Sequence, residues 1–196
     1  MMRQNYYRLL DDINFKERWY LGEIINQDNW KYTSGESVNS SNFQLKIEIF
    51  QEGKEMDFTL NEAYGVPIVS ESFKKSVSIF NNLSFIPVLI ENRELSTNYY
   101  IMVIEKLIEA VDEDKSEFDK FTKDDPIRPD KAGQYLAFYK LIIDPSKVQS
   151  EDIFRLKGFT NGIIISGKFK SQIQSFTGCK PQLLNGTSKT EGLDYI

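Results

Sequence analysis

Serines, lysines, one cysteine and many carboxylates stand in spacings that invite chemical readings, but the 196-residue chain has no histidine. Without imidazole there is no Ser-His-Asp or Cys-His relay, no usual zinc site and no side chain that ordinarily titrates near neutral pH. Any catalysis would have to use carboxylate, lysine or tyrosine. Residues 162–168, GIIISGK, carry the glycines and lysine of a phosphate-binding loop. Phe169 stands where that loop needs Ser or Thr for magnesium. Three isoleucines stand where a cradle needs backbone with its N–H groups turned inward. Asp112, Asp114 and Ser116 begin like a calcium loop, yet Glu117 replaces the required glycine and Lys123 the closing glutamate. The expectation is binding of neither ATP nor calcium, with no metal and no other cofactor. Cys179 lacks a histidine partner and reads as structural. Ser72 and Ser166 have lysines nearby but sit at helix starts, where capping explains a serine.

Charge is more informative. Residues 105–125 hold nine acidic and four basic residues, which accounts for the entire net charge of −5. A solvated loop would have this composition. So would a patch that attracts a basic partner and speeds encounter. On the second reading the partner-binding candidates are Asp112, Glu113, Asp114, Glu117, Asp119, Asp124 and Asp125, with Phe118 and Phe121 as apolar anchors. No basic stripe offers itself to phosphates, so nucleic acid is not the expected partner.

The elements that must position these residues read as an α+β domain, with a mostly antiparallel sheet and a few short helices. Its clearest signal is internal. Residues 68–77, IVSESFKKSV, align without a gap with residues 164–173, IISGKFKSQI, at an offset of 96. In each, an apolar pair runs into a serine and an aromatic follows three residues later. Phe73, Val77 and Phe80 match Phe169, Ile173 and Phe176, and their spacing predicts one buried helical face per segment. Ser70 and Ser166 are placed as N-caps, and Gly178 suits a helix C-terminus. Each helix leads toward a proline-bearing apolar stretch, at Pro87 and Pro181. A strand–Ser–helix–strand unit thus occurs twice, through duplication or through convergent capping.

Other stretches predict strands. Residues 43–50 alternate, with Phe43, Leu45, Ile47 and Ile49 on one face, and Gly53 predicts a hairpin turn into a second strand. Residues 99–111 open with Tyr, Ile and Val and favour strand over helix. Residues 135–143 and 153–156 also read as strands, with turns at Gly158 and Asn161-Gly162. Residues 1–32 are aromatic and weakly periodic, 33–42 read as a loop, and the tail from Asn185 is polar and loose.

Forty per cent hydrophobic and 27% charged residues fit a globular protein. The length suits one domain over 1–196, divided into an aromatic region at 1–62, a core at 63–184 and the tail. A single cysteine excludes an internal disulfide and suits a reducing compartment. The N-terminus lacks a signal-peptide h-region, and no apolar run is long enough to span a bilayer. The cytoplasm is the expected location.

Four stretches in order resemble an immunity-protein family of bacterial polymorphic toxin systems, long catalogued as a domain of unknown function. They are PIVSESFKKSVSIFNNLSFIPVLI (67–90), YYIMVIEKLIEAVDEDKSEF (99–118), KLIIDPSKV (140–148) and EDIFRLKGFTNGIIISGKFKSQI (151–173). They span the middle and C-terminal two-thirds of the chain. The resemblance implies a small cytoplasmic antidote that binds a cognate toxin and brings no catalytic residues. Two other readings stay open: a small enzyme using Tyr, Lys or carboxylate chemistry, and a scaffold or oligomerising module.

Overall fold

The computed structural model describes residues 5–38 and 44–184. Phe43, the end of the 33–42 loop and the tail from Asn185 lie outside the described residues. In chain order the elements are β1 (Tyr6–Asp11), β2 (Tyr20–Ile24), β3 (Leu45–Gln51), β4 (Phe58–Leu60), β5 (Pro67–Ser70), α1 (Glu71–Val77), β6 (Leu83–Ile90), β7 (Tyr99–Ile104), β8 (Leu107–Ile108), β9 (Glu117–Lys120), β10 (Tyr135–Lys140), β11 (Ile153–Leu156), β12 (Phe159–Ser166), α2 (Gly167–Ile173) and β13 (Cys179–Leu183). They form a six-stranded sheet in the order β2-β3-β6-β7-β5-β4, a five-stranded sheet in the order β13-β1-β12-β11-β8, and a β9–β10 hairpin. All strand pairs are antiparallel except β3–β6 and β8–β11. The fold is α+β, as the periodicities predict.

The repeated segments are equivalent in three dimensions. Ser70 and Ser166 each accept a hydrogen bond from the N–H of the phenylalanine three residues on, at 3.2 and 3.1 Å. Each serine hydroxyl in turn donates to an aspartate in the segment before its neighbouring strand, Asp57 at 2.8 Å and Asp152 at 2.6 Å. β5 pairs with β4 as β12 pairs with β11: Val69 lies opposite Phe58, and Ile165 opposite Ile153. On its other side β5 pairs with β7, bringing Val69 opposite Tyr100; β12 pairs with β1, bringing Ile165 opposite Tyr7. Finally β7 pairs with β6 as β1 pairs with β13. The N-terminal strand, with its Tyr6-Tyr7, therefore occupies in the second unit the place that β7, with its Tyr99-Tyr100, occupies in the first. Weak periodicity had hidden β1 from the sequence reading.

The units meet across an approximate two-fold relation. Phe73 packs on Phe176 with centroids 5.3 Å apart, and Phe169 packs on Phe80 at 4.7 Å. At the contact between helices the Ser76 hydroxyl donates to the Gln172 carbonyl at 3.1 Å, and these two positions are themselves equivalents. Phe73, Val77, Phe80, Phe169 and Ile173 are buried as predicted, while Phe176 is half-buried. Both helices are only seven residues long, so Phe80 and Phe176 lie in the turns that follow. Gly178, rather than capping α2, sits in the turn before β13 at φ +86°, where a Cβ would run into the Phe58 carbonyl. Its equivalent, Asn82, is also left-handed, at φ +62°.

Three cores are layered by this arrangement. Ile68 and Ile101 face a core closed by Trp19, Leu21 and Tyr32. Val69, Met102, Leu9 and Ile165 meet in the central core between the sheets, with both helices. Tyr6, Phe154 and Ile164 face a third core, against which Tyr135 and Phe138 of the hairpin pack. Alternation along each strand sends neighbours to opposite cores.

Three local readings are corrected. β3 and β4 form no hairpin at Gly53: β3 pairs with β2 and β6, and β4 with β5. The segment between them is drawn off by Lys54, which bridges to Arg18 and whose N–H donates to Glu17. Asn161-Gly162 is no turn but lies within β12, where the β11 register jumps between Arg155 and Leu156. The strand read over 135–143 ends at Lys140, and Ile143 instead bridges to Val111.

Candidate functional site

The acidic stretch is tied to the body at its start. Val111 bridges to Ile143, and the Asp112 N–H donates to the Ile142 carbonyl at 2.9 Å. A tight turn follows, in which the Asp112 carbonyl accepts the Ser116 N–H at 2.9 Å. β9 then runs antiparallel to β10, with Phe118 opposite Phe138 and Asp119 opposite Ala137. Alternation splits β9 into two faces. Phe118 and Lys120 turn toward the Tyr135 and Phe138 rings; Glu117 and Asp119 turn to solvent.

The structure brings these carboxylates to one hairpin but gives them unequal roles. Asp112 pairs with Lys115. Glu113 accepts from the Lys120 ammonium at 2.8 Å and from the Tyr135 hydroxyl at 2.5 Å. Those bonds, Lys120 first, hold its carboxyl below the usual range. Burial, then the Glu113 bond, pushes the Tyr135 phenol up. Asp119 accepts the Tyr139 hydroxyl at 2.5 Å. Asp125 accepts the N–H groups of Ile127 and Arg128 at 3.0 and 2.7 Å, which fixes the connecting loop. Asp114, Glu117 and Asp124 make no side-chain hydrogen bond or ion pair among the described residues. Asp112, Asp114, Glu117 and Asp144, with Lys115 and Lys140, line an open cleft of about 510 Å³.

The two predicted anchors are partly engaged inside the protein. Phe118 is half-buried against Tyr135 and Phe138, and Phe121 is half-buried with the Lys131 ammonium 5.7 Å from its ring. The apolar side chains that the hairpin turns outward are others. Ile127, in the loop between the strands, is 82% exposed, and Leu136 and Tyr139 are about half exposed. Leu136 and Tyr139 are the residues at which β10 shifts register against β9. Those β-bulges re-aim side chains, and no periodicity in the sequence announces them.

The phosphate-loop look-alike lies elsewhere. Gly162–Ser166 are strand residues of β12, and Lys168 points to Asp152 at 3.4 Å. Cys179 pairs in register with Asp11, and burial first, then Asp57 and Asp11, pushes its thiol well above the usual range.

Fold and surface together describe an α+β protein whose candidate site offers fixed carboxylates and exposed apolar side chains. The chain belongs to an immunity protein family, Imm11, whose model matches residues 15–195. The match reaches well into the N-terminal third, which the resemblance read from the sequence did not cover. No curated protein matches the chain. No helix among the described residues is long and apolar enough to cross a membrane.

Proposed function

We propose that this chain neutralises a cognate bacterial toxin in the cytoplasm by stoichiometric protein–protein binding, without catalysis. Membership of an immunity family over residues 15–195 carries this reading. The lack of histidine supports it by removing the commonest general base. The contact surface is the solvent face of the β9–β10 hairpin and its adjoining turn and loop. There Asp114, Glu117, Asp119 and Asp124 give charge, and Leu136, Tyr139 and Ile127 give apolar area. Charge of this kind speeds capture of a basic surface and selects against wrong partners. An interface of about 1,600 Å² is expected.

The test is co-expression with the product of the large open reading frame adjacent to the gene. Growth should be rescued, and the two chains should co-purify at equal stoichiometry. Rescue without a complex would replace binding by an enzymatic antidote. The variant Asp114→Lys, Glu117→Lys, Asp124→Lys should slow association while melting as the wild type does, and added salt should slow the wild type similarly. An unchanged on-rate in that variant would move the contact off the hairpin.

A further inference from the structure

A second surface lies against the first of the three cores. It is built on two buried asparagines. Asn29 accepts the Ile24 N–H at 2.8 Å and donates to the Ile24 carbonyl at 3.0 Å. Asn61 donates to the Gly22 carbonyl at 3.1 Å and accepts the Val66 N–H at 2.8 Å. The two amides also bond each other at 3.3 Å. Segments 22–30 and 61–66 are thereby pinned together by side chains that water does not reach. Each segment displays a large aromatic: Trp30 is 58% exposed and Tyr64 41% exposed.

The charged side chains within the two segments are all carboxylates. Residues 22–30 and 61–65 contain Glu23, Asp28 and Glu62 and no lysine or arginine. All three carboxylates are exposed, and none has an ion-pair partner among the described residues. The nearest base in sequence, Lys31, is engaged by the Gln27 amide oxygen, with its ammonium 5.0 Å from the Tyr32 ring. Exposed indole and phenol faces attract cations, and unpaired carboxylates select the same sign. Rigid display lowers the entropic cost of binding, and Trp and Tyr are the side chains that dominate interfaces.

We propose that Trp30 and Tyr64, flanked by Glu23, Asp28 and Glu62, form a docking surface for a protein segment that presents arginine or lysine. This surface is separate from the hairpin, so loss of toxin binding by hairpin variants leaves it standing.

The test uses the whole chain and the peptide acetyl-Gly-Arg-Gly-Arg-Gly-amide, with the glutamate version as control. The Trp30 indole N–H resonance is followed during titration, with buried Trp19 as internal reference. The arginine peptide should shift Trp30 saturably and leave Trp19 in place. The response should weaken at least tenfold in Glu23→Gln, Asp28→Asn, Glu62→Gln, whose unaltered Trp19 resonance reports intact folding. Tyr64→Ala should weaken it by a smaller factor. An absent shift, an equal response to the glutamate peptide, or full retention in the triple variant would overturn the proposal.

Discussion

The unit around α1 and the unit around α2 share their register, their serine caps and their interlocked phenylalanines, and they part in the side chains of their strands. Where the first unit has Ile104, buried opposite Leu83, the second has Asp11 opposite Cys179, paired with buried Arg18. Where the first has Leu60 opposite Pro67, the second has Arg155 opposite Ile163. Asp57 accepts from Thr177 as well as from its serine cap, whereas Asp152 has the cap and Lys168. The common features are backbone ladders and ring contacts, which cannot change without moving a strand. The differing ones are interior side chains, whose replacement leaves the ladder intact. Buried polarity falls at different places in the two units: the first has Thr59 where the second has Phe154, and the second, closed by a strand from the other end of the chain, has Asp11 and Arg155.

The largest test of this comparison concerns the rings. Phe73 and Phe169 are both fully buried, so Phe73→Ala and Phe169→Ala should each cost about 3–5 kcal/mol. Each ring packs on the other unit, so denaturant unfolding should stay a single transition in both variants. Two transitions in either would show that the units fold independently.

Arg155 should behave in the opposite direction. It is fully buried, one nitrogen donates to the Thr160 carbonyl, and its Nε and second terminal nitrogen lack partners. Burial lowers its pKa to about 9. A buried unpaired donor costs about 1–3 kcal/mol, so Arg155→Met, which restores the apolar character of Leu60, should raise stability by a similar amount. A loss of stability would mean that the guanidinium holds the β11–β12 irregularity in place.

Cap removal is smaller. Ser70→Ala and Ser166→Ala should each cost about 1 kcal/mol. Asp57→Ala should cost more than Asp152→Ala, because it also frees the Thr177 N–H and hydroxyl. Equal losses on thermal melting would make the Thr177 bonds irrelevant to the comparison.

The second unit also carries a pH dependence of its own. Burial raises the Asp11 carboxyl to about 6 against the opposing pull of Arg18. A raised folded-state pKa favours the protonated fold, so this contribution is full below about 4 and is lost as pH rises through 6. Asp11→Asn should flatten the stability profile between those limits, and Ile104→Val should not. An unchanged profile in Asp11→Asn would assign the dependence to other groups.

Local signals in the sequence were enough to find the repeat. A serine three residues before an aromatic names an N-cap, and steps of four and three name a buried face, because both are properties of a single turn of backbone. The acidic stretch was legible for the same reason, since composition is local. Its geometry was not. Lys120 and Tyr135 claim Glu113, Tyr139 claims Asp119, and bulges turn Leu136 and Tyr139 outward in place of Phe118 and Phe121. Pairing over long range decided the rest. β1 shows no periodicity because Tyr6 and Leu9 face different cores, and only the strands beside it make it the closing strand of the second unit. Gly53 signalled a bend but not its partner, since a turn residue fixes direction while the ladder it enters is chosen by the whole sheet. Trp30 and Tyr64 lie 34 positions apart, and the segments that carry them are joined by long-range bonds of Asn61 to Asn29 and to the Gly22 carbonyl.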